Sequence, residues 1–252
     1  MSHGEYIAMV GYRDRPLGRV RRLVSKLLGK QKAFKSGDPL YGWEQYTSEE
    51  LAEVRRRLPG LLKQLAGEGI LAIALYPEAP GYAPFLAPAL DYLDGLGIDL
   101  SDANAAPFYF VYALLLGPDA AEVFRGRSVL IVTGPTHEKF EKLDRALRAR
   151  GVRDVTFLPC HPQKSMFDKI DVASIERPVD VVLVGAGVGA ANVLDQLRPL
   201  GAVCIDAGYC LTVLGEPNLP RRAYALPDAD FDRYALADVP PELASRARGG
   251  GA

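Results

Sequence analysis

Between Ser128 and residue 206 the chain alternates short apolar runs with helical stretches, and that alternation leaves few folds open to it. Ser128–Thr133 (SVLIVT) and residues 154–158, 179–184 (VDVVLV) and 202–206 read as strands. Residues 138–150 and 190–200 carry helical spacing and stop at Gly151 and Gly201, while 167–175 reads as a short helix. Strands that are apolar on both faces and separated by helices predict a parallel sheet covered on both sides. Right-handed crossovers then put all four strand C-termini on one edge, the edge where open α/β sheets bind ligands. The expected fold class is therefore α/β: a Rossmann-like parallel sheet flanked by helices, preceded by a mainly helical N-terminal half.

That first half has a different texture. Thr47 and Glu50 form a capping box, followed by Leu51, Val54, Leu58, Leu62 and Leu65 on one helical stripe. Pro59 predicts a kink or a split in that helix. Residues 70–75 (ILAIAL) read as a short buried strand. A Pro-rich stretch with Pro77, Pro80, Pro84 and Pro88 follows, and then an apolar segment over 107–116. The textures divide the chain into a basic amphipathic segment (1–36), a helical half (37–126), a Rossmann-like half (127–226) and a tail (227–252), expected to form one compact domain.

Composition narrows the setting. With 252 residues, 48 % apolar, and 30 basic against 31 acidic residues, the chain has the make-up of an ordinary globular protein. It holds no apolar run of about 18 residues, the length needed for a membrane span. Its first five residues lack the layout of an export signal. Cys160, Cys204 and Cys210 are too few for a disulfide framework and predict a reducing, cytoplasmic location. Residues 13–35 hold nine Lys or Arg and one acid, so this stretch carries +8 while the remainder carries -9. Leu17, Val20, Leu23, Val24, Leu27 and Leu28 give it a helical apolar stripe. It suits either the protein's own core or an anionic membrane surface contacted peripherally. Only one aromatic, Phe34, falls among these charges, so no nucleic-acid partner is expected. A homodimer stays open.

Four loops follow the four strands: Gly134–His137, Pro159–Ser165, Gly185–Gly189 and Asp206–Cys210. In the third, a strand runs through Gly185, Gly187 and Gly189 into a helix N-terminus, where bare N–H groups and the helix dipole can hold an anion. Lys164 in the second loop, beside Ser165, offers a mobile positive charge to a diphosphate. Asp206 ends the next strand and can accept hydrogen bonds from a ribose, with Tyr209 close behind. Gly185-x-Gly187-x-x-Ala190 with Asp206 downstream also matches a dinucleotide fingerprint, although two strand units precede it. Cys160 and His161 lack zinc-finger spacing, and as sequence neighbours they make a poor nucleophile pair. His137 either faces the ligand edge or simply begins a helix.

From about residue 127 to 216 the chain resembles the glycosyltransferases of the GT-D fold. Pro159-Cys-His-Pro-Gln-Lys-Ser-Met-Phe167 stands where that family has a Pro-then-Lys-Asn-Ala-aromatic loop. The run from Val181 to Ala190 stands for its apolar strand and small-residue phosphate turn. Leu200-Gly-Ala-Val-Cys-Ile-Asp-Ala-Gly-Tyr209 stands for a Gly, a strand and Asp-x-Gly-His, with Tyr209 in the place of the His. The resemblance implies transfer of a sugar from a nucleotide-sugar donor, commonly with a divalent metal such as Mn or Mg. It would assign Lys164, Ser165, Gly185, Gly187, Gly189, Asp206 and Tyr209 to the donor. The family's Asp-Gly-Glu run is matched only by Asp38-Pro39-Leu40, which leaves Asp38 as catalytic and metal residue and Glu44 as its candidate partner. Two other readings stay open: an enzyme using a dinucleotide or S-adenosylmethionine at the same glycine turn, and a non-catalytic binding module.

Overall fold

A computed structural model describes residues 47–73, 83–101, 103–117, 120–134, 137–161 and 164–216. Asp38, Glu44, the basic stretch 13–35 and the tail 227–252 lie outside these residues. The first described helix, α1 (Ser48–Glu68), has the expected capping box. Glu50 N donates to Thr47 Oγ1 at 3.1 Å, and Thr47 N donates to Glu50 Oε2 at 2.7 Å. Of the expected kink or split, the split does not occur: α1 runs on through Pro59. An interior proline costs about 3 kcal/mol. Against that, Val54, Leu58, Leu61, Leu62 and Ala66 are buried along one stripe on both sides of it. Each large aliphatic side chain among them contributes about 1.5–3 kcal/mol, so burial outweighs the lost rung.

Strand β1 (Leu71–Ile73) falls within the predicted strand 70–75, whose last two residues lie outside the described ranges. It pairs in parallel with β2 (Ala105–Pro107). Helix α2 (Ala83–Gly95) takes in Pro84 and Pro88 of the Pro-rich stretch. Pro84 lies in its first turn, where a missing N–H removes no intrahelical bond. The apolar segment expected over 107–116 becomes the end of β2 and helix α3 (Tyr109–Leu116), and α4 (Ala120–Phe124) leads toward the main sheet.

That sheet contains β3 (Ser128–Thr133), β4 (Asp154–Pro159), β5 (Val181–Gly185) and β6 (Val203–Asp206), all parallel, in the order β4-β3-β5-β6. Every residue of β3 and the first four of β5 are buried, so these central strands carry unbroken apolar runs. The edge strands β4 and β6 are only partly buried, and Val203 is 58 % exposed. Helices α5 (His137–Arg148), α6 (Ala190–Leu197) and α7 (Cys210–Gly215) cover the faces. Leu143 and Leu147 of α5 and Leu211 and Leu214 of α7 pack with Val129, Ile131, Val181 and Leu183. On the opposite face Val193 and Leu197 of α6 pack with Leu130, Val132, Val182 and Val184. The chain is thus an α/β protein with parallel sheets flanked by helices. No described helix is long and apolar enough to cross a membrane.

Residues 167–175 do not form the expected helix. Two 3₁₀ turns, Ser165–Phe167 and Val172–Ser174, stand there instead. Side chains of α6 take up the backbone groups that a helix would need. Asn192 Nδ2 donates to Ser165 O at 2.9 Å and to Asp168 O at 3.2 Å, Gln196 Nε2 donates to Asp168 O at 2.9 Å, and Ile170 N donates to Gln196 Oε1 at 2.9 Å. Helix α1 closes over the same segment, with Arg57 donating to Met166 O at 2.8 Å and to Asn192 Oδ1 at 2.5 Å. Met166 and Ala191 accordingly share one apolar cluster with α1, β1 and β2.

Candidate functional site

The strand order reverses between β3 and β5: the chain leaves β3 for β4 on one side and returns to β5 on the other. Loops that diverge in this way leave a crevice at the carboxyl ends of the two strands. Thr133 and Gly185 end those strands side by side, and Val184 pairs with Asp206 on β6. Ala207 N and Gly208 N both donate to Val184 O, at 2.8 and 3.1 Å, which holds the fourth loop across the end of β5. The parallel strands therefore bring the ends of all four loops to one edge, as the alternation implied.

The three glycines have three different surroundings. A Cβ on Gly185 would stand 2.6 Å from Leu211 Cδ1 and 2.9 Å from Thr133 Oγ1, so this residue is small because β3 and α7 crowd it. Gly189 is buried, and a Cβ there would overlap Ser165 Oγ and the Met166 amide. Its role in the fold is to let the loop after β4 lie directly on the turn after β5. Ser165, 1 % exposed, seals that contact by donating from Oγ to Ala186 O at 2.6 Å. Only Gly187 faces open space: it is exposed, has φ +55°, and nothing lies within 4 Å of where its Cβ would stand. Left-handed backbone without a side chain leaves Gly187 itself approachable, whereas the Gly189 amide already donates to Ala186 O at 3.2 Å.

Lys164 precedes the first 3₁₀ turn. Its Nζ donates to Glu50 Oε1 at 2.7 Å, so the capping residue of α1 holds the loop lysine. Hydrogen bonding to Lys164, with help from the Thr47 amide, keeps the Glu50 carboxyl below the usual carboxylate range. The Lys164 backbone N–H donates to His161 Nδ1 at 2.9 Å, and His161 N donates to Asp168 Oδ2. Those bonds tie His161 to both Lys164 and Asp168. Asp206 and Tyr209 are partly buried at the end of β6 and the start of α7. His137 begins α5. Cys160 is 5 % exposed, and burial pushes its thiol up to about 11, which leaves little thiolate for nucleophilic chemistry.

Lys139, in the first turn of α5, is a group that the sequence reading passed over. Its Nζ donates to Thr133 Oγ1 at 3.0 Å, and Thr133 Oγ1 donates in turn to Gly185 O at 3.0 Å. Burial pulls the Lys139 amine below the ordinary lysine value, and the nearby Cys160 draws it part of the way back. The available signal was its position: a lysine in the first turn of a helix opposes the macrodipole, an arrangement that needs another reason.

Among the described residues, no group of three or more His, Cys, Asp or Glu side chains is arranged to hold a metal ion. With Asp38 and Glu44 outside those residues, the oxygen set that a hard cation wants is not assembled by the part described. The fold and site define a doubly wound α/β protein with an anion-compatible turn beside its switch point. Compared with known proteins, the chain matches no family model, no curated protein and no solved structure.

Proposed function

We propose that this chain binds a nucleotide sugar by its diphosphate at the carboxyl edge of the sheet and transfers the sugar to an acceptor, in the manner of the GT-D glycosyltransferases it resembles. The observation that carries the reading is the open turn at Gly187, set beside the β3/β5 switch point with Lys164 on the preceding loop and Asp206 on the following one. Backbone amides at Gly187 take one phosphate. Lys164 exchanges Glu50 for the other, and Asp206 receives ribose or sugar hydroxyls with Tyr209 beside it. Gly185, Gly189 and Ser165 act behind this surface by shaping the turn. Asp38 and Glu44 are the acids that the resemblance would add, with Mn or Mg.

Titration of the full chain by calorimetry with UDP, GDP and their sugars, with and without manganese, tests the reading beside NADH and S-adenosylmethionine. Binding confined to nucleotide diphosphates is the expected result. Lys164→Ala should weaken it about tenfold or more, as loss of a charge-assisted bond does, with an unchanged far-UV spectrum. A response to NADH or S-adenosylmethionine alone would move the assignment to those cofactors, and no response at all to a non-catalytic module.

A further inference from the structure

Lys139 belongs to no motif that the sequence suggested, yet it stands where the sheet opens. It is half-buried, its Nζ is held at 3.0 Å by Thr133 Oγ1, and the same hydroxyl holds Gly185 O at 3.0 Å. Thr133 is 1 % exposed and ends β3, so this chain of bonds crosses the mouth of the switch point from α5 to the glycine turn. Cys160 N donates to Thr133 O at 3.1 Å, which closes the other flank. The first turn of α5 is also pinned from outside, because Phe140 stacks on Phe157 of β4 with ring centroids 4.4 Å apart. A flexible lysine is thereby given one location. Its side chain is half-buried, and that burial lowers the proton affinity of the amine, so the native fold keeps a cation where hydration is poor.

We propose that Lys139 is a second cationic anchor of the ligand site, meeting phosphoryl oxygens of the diphosphate at the mouth between β3 and β5. The proposal rests on the nucleotide-diphosphate reading and adds a contact from a different element. Lys164 approaches from the loop after β4 and Lys139 from the helix after β3, so the two amines grip a diphosphate from two sides. Thr133 is the positioning residue, since its hydroxyl fixes the amine without needing to touch ligand.

Inorganic pyrophosphate and UDP, titrated separately into the full chain, are the probes. Lys139→Met should weaken pyrophosphate binding about tenfold or more and UDP binding by a similar factor, while Lys139→Arg, which keeps the charge, stays within about threefold of wild type. A role confined to packing would put Met and Arg at equal distance from wild type, or favour Met, and would overturn the proposal. A second measurement needs no variant. Acetylation of Lys139 in the wild-type chain, followed by peptide mass spectrometry, should be suppressed by saturating pyrophosphate; unchanged labelling under conditions where pyrophosphate is bound would also overturn it. Wild-type chain that binds neither probe refutes the diphosphate reading itself. If pyrophosphate binding is lost in Lys164→Ala but retained in Lys139→Met, only the second anchor falls.

Discussion

At the scale of single residues, the glycine turn separates roles that share one letter in the sequence. Gly189→Ala would drive a methyl group into Ser165 and the Met166 amide, backbone that cannot swing aside. We expect a loss of about 1–3 kcal/mol, or more if the loop is displaced, read from the urea midpoint. Gly187 has open space in front of it, so its constraint is the positive φ alone. Cys160 makes a pH-dependent prediction. Its thiol rises from the ordinary 9.0 to about 11 because burial disfavours the thiolate. A raised acid keeps its proton in the fold while the unfolded chain releases it. The stabilisation is therefore complete below pH 9 and is lost as pH climbs toward 11, by roughly 2–3 kcal/mol. Cys210, also pushed up by burial, acts in the same sense. Urea midpoints from pH 8 to 11 should fall less steeply for Cys160→Ala than for wild type; parallel curves would remove Cys160 from the account.

Elements show where neighbours overrule local preference. Helix α1 was legible from Thr47, Glu50 and its apolar stripe, because a capping box and a 3.6-residue period are both short-range signals. Local signals left open whether Pro59 would split it, since the compensating burial comes from residues far along the chain. The failure of 167–175 to form a helix has the same origin: Asn192 and Gln196 lie more than twenty residues away in sequence. Asn192, 2 % exposed, serves two carbonyls and Arg57 at once. Asn192→Leu keeps the volume and strands those partners, so it should cost about 2–4 kcal/mol by the same urea assay. A loss below about 0.5 kcal/mol would show that the α6 side chains do not hold this loop.

For the whole molecule, the parallel sheet and the gathering of its loop ends on one edge were readable from the alternation over residues 128–206, whereas which two strands lie at its centre was not. A nucleotide diphosphate bound there, at about 100 times its dissociation constant, adds roughly 2.7 kcal/mol to the folded state. For a chain of this size that is a rise of roughly 5–10 °C in Tm, measurable by calorimetric melting. Periodicity and punctuation act between residues a few positions apart, so they indicated the four strands of the main sheet and its long helices, though not the fate of 167–175, and on which edge the loops emerge. Strand order, the Glu50–Lys164 pair, the filled contact under Gly189 and the seat of Lys139 join residues that no local rule relates. Those were decided only when burial of both sheet faces packed distant segments together, because complementary shape and charge exist between surfaces and not along a chain.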